Sequence, residues 1–305
     1  MSQLRFDDQV VVVTGAGNGV GRGYALELAR RGARVVVNDL GGGPNGGGAD
    51  EAPAGKVVAE IKAAGGEAVA NTSSVATKEG GAGIIQTAID TWGRVDGVIH
   101  NAGILRDQSL AKLDVADLQT VLSVHMLGAI YVCQPAFNHM KDNGRGGRLL
   151  LTSSSSGLFG NFGQSSYAAA KMAVVGLIRV WAIEGAKYGI KANVIAPTAA
   201  TRLTGGEAAD APMAPGRVAP AGVVLMHPNC PSTGEIFQAG GGWTARIALQ
   251  IADGYVSQAG PDEADKLFAN WDKVRGGDAQ GWSDPKTAID LGGMIQKHLG
   301  IEKLF

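Results

Sequence analysis

Short apolar runs separated by helix-length amphipathic stretches recur from residue 10 to about residue 240. Val10 to Val13 is the first. It is β-branched throughout, with no polar alternation, so it predicts a strand buried on both faces of a parallel sheet. Helical periodicity follows in GYALELARRG, with Gly32 at a C-cap position. The alternation continues with strands over 34–38, 67–71 and 95–100, one starting at Leu149, and others over 191–195 and 234–239. Helices fall between them over about 54–64, 78–92 and 115–141, then through Tyr167 to Tyr188, and over 218–227. This order predicts an α/β fold with a doubly wound parallel sheet of about seven strands. The rhythm stops after Gly240, so the chain divides into a domain over 1–240 and a C-terminal extension over 241–305. The extension holds Trp243, Trp271, Trp282 and the helical pattern DEADKLFANWDKV. Two irregular stretches interrupt the domain. Residues 40–53, rich in glycine, read as a surface flap, and 198–217 read as a lid.

Three stretches carry chemistry. The first, TGAGNGVG at 14–21, joins a strand to a helix. Gly15, Asn18, Gly19, Val20 and Gly21 place backbone N–H groups at the positive end of a helix dipole, a site for a pyrophosphate. Asp39 closes the second strand, where a carboxylate accepts both ribose hydroxyls of an adenosine and repels a 2′-phosphate, favouring NAD over NADP. Arg22 either faces a phosphate or pairs with a carboxylate. Ser74 and Val75 stand at a strand end beside the expected adenine edge. The second stretch is Asn101-Ala102-Gly103, where the asparagine supports the sheet backbone and the glycine admits a cofactor. The third holds Ser154, Tyr167 and Lys171. Tyr167 and Lys171 share a helix face, an ammonium there lowers the phenol's pKa, and Ser154 lies at the end of the preceding strand. Together they suit proton transfer between an alcohol and a carbonyl.

Composition narrows the partners. Lys+Arg minus Asp+Glu is 27 − 28 = −1 over 305 residues, which leaves no broad basic field for nucleic acid. Cys133 and Cys230 are the only cysteines, so no disulfide framework is indicated, and Cys133 sits in a helical apolar pattern. The five histidines form no metal-ligand spacing with them, so no metal is expected. No signal-like leader and no membrane-spanning run is read, and a cytoplasmic protein with no membrane partner is expected.

In order and spacing, TGAGNGVG, Asp39, NAG at 101–103, Ser154 and Tyr167-x-x-x-Lys171 resemble the short-chain dehydrogenase/reductase family, over about residues 5–240. The stretches RFDDQVVVVTGAG, VVVNDLGG, NAGILRD and GNFGQSSYAAAK, with the tail, are similar to its multifunctional β-oxidation branch. That branch oxidises (3R)-3-hydroxyacyl-CoA with NAD, and some members act at a steroid 17β-hydroxyl. The length fits the dehydrogenase part alone.

The resemblance implies a Rossmann fold and a nicotinamide cofactor. It makes Tyr167 the base, has Lys171 hold the nicotinamide ribose, and puts Ser154 on the reacting oxygen. Pro197 and Thr198 border the nicotinamide amide. It also implies a homodimer paired through helices 115–141 and 166–188, and an extension that either walls the substrate cavity at the dimer interface or caps a surface edge. His125 stands where the wider family has asparagine, as a packed residue or a catalytic one. Ser74 replaces a usual aspartate, and Thr198 a usual glycine. Competing functions are a 17β-hydroxysteroid dehydrogenase, an NADPH-dependent 3-oxoacyl thioester reductase, which Asp39 opposes, and a silent nucleotide-binding protein, which the intact triad opposes.

Overall fold

The computed structural model describes residues 4–48, 50–201, 212–257, 259–276 and 282–300. The run at the start forms β1 (Val10–Thr14), with every residue buried, as an apolar strand without alternation requires. In chain order there follow α1 (Gly19–Arg30), β2 (Arg34–Asn38), α2 (Ala52–Ala63), β3 (Glu67–Asn71), α3 (Lys78–Trp92) and β4 (Gly97–His100). Next come α4 (Val115–Leu122), a π-helical turn (Ser123–Leu127) and α5 (Gly128–Asn143), then β5 (Gly147–Thr152), α6 (Ser155–Phe159) and α7 (Ser165–Gly185). The domain continues through β6 (Ile190–Pro197), α8 (Ala219–Met226), β7 (Ile236–Gly240) and β8 (Trp243–Ile247).

The sheet has eight strands in the order β3-β2-β1-β4-β5-β6-β7-β8, one more than the alternation predicts. β1 to β7 pair in parallel, with Val11 opposite both Val35 and Gly97. The extra strand follows β7 after Gly241 and Gly242, both at positive φ, and such a two-residue turn makes a hairpin. Its sequence WTARI is mostly exposed, so no buried run announces it.

Alternating side chains feed two layers. Val11, Val13, Val35 and Val37 join Tyr24 and Leu28 of α1, Ile61 of α2 and Val223 of α8 in one core. α3, α5 and α7 pack together on the sheet. On length and hydropathy alone, Val115–Asn143 and Ser165–Tyr188 are long and apolar enough to cross a membrane, which corrects the expectation that no such segment exists. In the structure they are partly buried, α5 against α3 and α7 against β6.

Strand order reverses between β1 and β4, which opens a crevice beyond their carboxyl ends. Thr14 ends β1 there and knots the two strands. Its Oγ1 accepts from Asn101 N–H and Ala102 N–H at 3.1 Å each and lies 3.2 Å from His100 Nδ1.

The chain divides into compact units at Arg246/Ile247. In the second, β9 (Ile251–Ala252) pairs antiparallel with β10 (Trp282–Ser283). α9 (Glu263–Ala269) and α10 (Trp271–Val274) split the helical pattern, and α11 (Ala288–Leu299) starts on a Thr287/Asp290 capping box.

Gly21 shows how tightly α1 approaches the crevice. A Cβ there would lie 2.1 Å from Gly15 O and 2.6 Å from Asn101 Nδ2. We predict that Gly21→Ala costs about 1–3 kcal/mol and weakens dinucleotide binding. Gly55→Ala, in a helix with nothing within 4 Å, should stabilise by about 0.5–1 kcal/mol. Thermal melts and dinucleotide titrations check both.

Candidate active site

One cavity of about 610 Å³ runs along the crevice, and every residue proposed from the sequence lines it except Gly21. Gly21 instead serves the helix-to-loop packing just described. At the dinucleotide end, α1 begins without a side-chain cap and without a carboxylate in its first turn, so its N–H groups suit an anion. Asp39 is held in place: Gly17 N–H donates to Oδ2 at 2.8 Å and Gly41 N–H to Oδ1 at 2.7 Å. A carboxylate has about four lone-pair sites, so two remain for ribose hydroxyls. Arg22 turns out to pair with a carboxylate, Glu60, at 2.7 and 2.8 Å. Ser74 Oγ accepts from Ala76 N–H at 3.2 Å, and Thr198 Oγ1 accepts from Gln238 Nε2 at 2.7 Å. Asn101 Nδ2 donates to the carbonyls of Thr14 and Gly15, which supports the backbone as expected. The N-terminal unit thus offers a glycine cradle, a fixed carboxylate and a long crevice, and a dinucleotide fits these groups.

At the other end β5 stops at Thr152, and the chain turns through Ser154, the N-cap of α6. Ser154 Oγ accepts from Ser156 N–H at 3.2 Å and lies near enough to Tyr167 to influence its phenol. Lys171 is buried, its Nζ donating to Thr152 O at 2.7 Å and lying 5.4 Å from the centre of the Tyr167 ring. Ser153 Oγ donates back to Lys171 O at 2.7 Å. The strand end and the helix are therefore tied in both directions.

The electrostatics differ from the expectation. The protein's own groups raise the Tyr167 pKa: burial is the main cause, the Ser154 hydroxyl pulls it down, and the Asp107 carboxylate pushes it up. Burial pushes Lys171 down to about 7, so the ammonium is not the dominant influence on the phenol.

His125 lies in the π turn, buried, with its ring edge-on to Tyr167 at 5.4 Å and 84°. Its Nε2 meets Ile104 N–H at 3.1 Å and Ile104 O at 3.0 Å, accepting in one tautomer and donating in the other. Burial, then the nearby Lys171 charge, holds it well below the usual imidazole range. The ring also explains Gly103, where a Cβ would lie 2.4 Å from His125 Cε1. The missing side chain makes room for the imidazole as well as for a ligand. Sequence reasoning missed the Thr14 knot, the Thr152 and Ile104 backbone partners, and Asp107, Asn161 and Gln164 on the wall. The Asn161–Gln164 pair lies within the GNFGQ stretch but has no chemical signature of its own.

A short chain dehydrogenase family profile matches residues 9–210, and the chain belongs to this family of oxidoreductases. It is 47% identical to peroxisomal multifunctional enzyme A of Dictyostelium discoideum over 277 residues, 89% of this chain and 61% of that protein. The solved full-length peroxisomal multifunctional enzyme type 2 of Drosophila melanogaster superposes with a TM-score of 0.80 at 36% identity, over 97% of this chain and 50% of that one. A 7α-hydroxysteroid dehydrogenase solved with NADH and 7-oxo glycochenodeoxycholic acid superposes at 0.71 with 27% identity, over 79% of this chain and 98% of that one. The chain spans from 29% to 61% of the length of the multifunctional relatives it matches.

The buried bases predict how stability depends on pH. His100, pushed down to about 3 mainly by burial, and His125 are depressed in the folded chain. The unfolded chain binds more protons below about pH 6.5, so stability is lost on acidification. Lys171 sits at about 7 against an ordinary 10.5, so its contribution to stability grows as pH rises above 7. Cys133 and Tyr24, pushed up by burial, oppose this once their unfolded counterparts ionise near 9.0 and 10.0. We predict a melting temperature that climbs from pH 5 to about 9, levels off while Lys171 and Cys133 offset each other, and falls once the buried tyrosines' unfolded counterparts ionise above about 10, with Lys171→Met flattening the rise above 7. Melts across about pH 5–11 read it directly.

Proposed function

We propose that the chain oxidises (3R)-3-hydroxyacyl-CoA to 3-oxoacyl-CoA, with NAD as the partner in hydride transfer. The carrying observation is that Ser154, Tyr167 and Lys171 meet in one cavity whose far end holds the fixed carboxylate of Asp39. The family, the multifunctional relatives and the NADH-bound neighbour support a nicotinamide cofactor and an acyl-CoA or steroid substrate. Asp39 favours NAD, because a 2′-phosphate beside it meets like charge.

A bound nicotinamide supplies the hydride acceptor. The protein does the rest. Ser154 hydrogen-bonds the reacting oxygen, and Tyr167 as phenolate takes the alcohol proton. Lys171, anchored on Thr152 O, keeps two donor positions for ribose hydroxyls. His125, neutral and tied to Ile104, shapes the π turn beside Tyr167. Exposed Met172, Val180 and Ile183 on α7 fit the same proposal as part of a homodimer seam.

Because oxidation needs the phenolate and Tyr167 is raised, oxidation should speed up with rising pH and carbonyl reduction should slow down. Tyr167→Phe should cut kcat by about 10²–10⁴-fold while NAD still binds, and His125→Asn, which keeps a polar contact to Ile104, should retain most activity. A kinetic panel of hydroxyacyl-CoA and steroid alcohols with NAD and NADP tests the reading. Turnover of neither alcohol class, or preference for NADP, contradicts it.

A further inference from the structure

An anion that the mechanism does not use stands on the cavity wall. Asp107 lines the cavity, and its hydrogen-bond partner is Gln164, whose Nε2 donates to Oδ2 at 2.7 Å. Gln164 Oε1 accepts in turn from Asn161 Nδ2 at 3.0 Å, and a Gln108–Gln164 bridge pins this loop just ahead of α7 and Tyr167. The adjacent cation, Arg106, is committed to Asp117 at 2.5 Å. Among the described residues no cation pairs with Asp107. Its charge reaches Tyr167 and opposes ionisation of the phenol, as the smallest of the influences on it.

That reach has a consequence for the substrate. The reacting oxygen must hydrogen-bond Tyr167, and carbon 1 of a 3-hydroxyacyl group lies within about 3 Å of carbon 3. Whatever carbon 1 carries therefore sits in the field of Asp107. A thioester there is neutral, whereas a free acid places a second carboxylate beside the first. We propose that Asp107 is a specificity-determining residue that rejects 3-hydroxy acids with a free carboxylate and confines the site to neutral acyl derivatives. This rests on the hydroxyacyl reading above. Asp107 itself is exposed at the solvent side of the wall, so its effect is screened by salt.

The test compares kcat/KM, with NAD, for three forms of one (3R)-3-hydroxy acid: the short N-acetylcysteamine thioester, the methyl ester and the free acid. The native chain should disfavour the free acid against the methyl ester by at least ~10-fold at low salt. That ratio should shrink as salt rises from ~0.05 to ~0.5 M. Asp107→Asn keeps an acceptor for Gln164, and it should recover most of the free-acid deficit and move the pH profile for the neutral esters to lower pH. Asp107→Glu should keep the deficit. An unchanged ratio in Asp107→Asn overturns the proposal. So does a native chain that oxidises acid and methyl ester equally well, a result that needs no variant to fold. If neither neutral ester turns over, the hydroxyacyl reading fails and takes the proposal with it.

Discussion

Burying an ammonium is costly, and the placement of Lys171 is the constraint on which the site depends. Its Nζ reaches the carbonyl at the end of β5, and the Ser153 hydroxyl reaches back to its own carbonyl. These two bonds fix α7 against the strand end. Tyr167, one turn earlier, then has no freedom to choose its position. It meets Ser154 on one side and the edge of His125 on another. The cavity is therefore a by-product of the sheet. β5 supplies the anchor, β1 and β4 supply the knot at Thr14, and the reversal of strand order leaves the space between them.

The same burial sets the chemistry. A phenol enclosed beside Lys171 resists ionisation, and Lys171 itself is pushed towards neutrality. The protein's own groups thus leave Tyr167 better suited to giving a proton than to taking one. A positive charge brought near the phenol reverses that balance, since it favours the phenolate directly. Under the proposed function, an oxidised nicotinamide held in the cavity would supply such a charge, and Tyr167 would then respond to it as well as to Lys171.

Much of this was legible along the chain. The Val10–Val13 run, the glycine loop and the Tyr167/Lys171 spacing are local patterns, and each became the expected element. What was hidden depends on contacts between distant residues. WTARI joined the sheet as an eighth strand although its side chains are mostly exposed and carry no buried period. The helix over 115–141 was visible, but its π turn was not, because helical periodicity does not register a single widened turn. Gly103 read as access for a cofactor, yet the His125 ring fills its missing side chain. The sign of the Tyr167 shift was misjudged because spacing reveals a neighbouring charge but not the burial of both groups. Residues 202–211, half of the expected lid, lie outside the described residues.

The central claim is that Tyr167 carries the proton and that burial sets its pKa. An ultraviolet difference titration of the native chain against Tyr167→Phe isolates that one phenol. The account predicts a phenolate signal that appears above the ordinary value of 10.0 in the protein alone and moves to lower pH when NAD is bound. A signal below 10.0 without NAD, or one that NAD does not move, contradicts it.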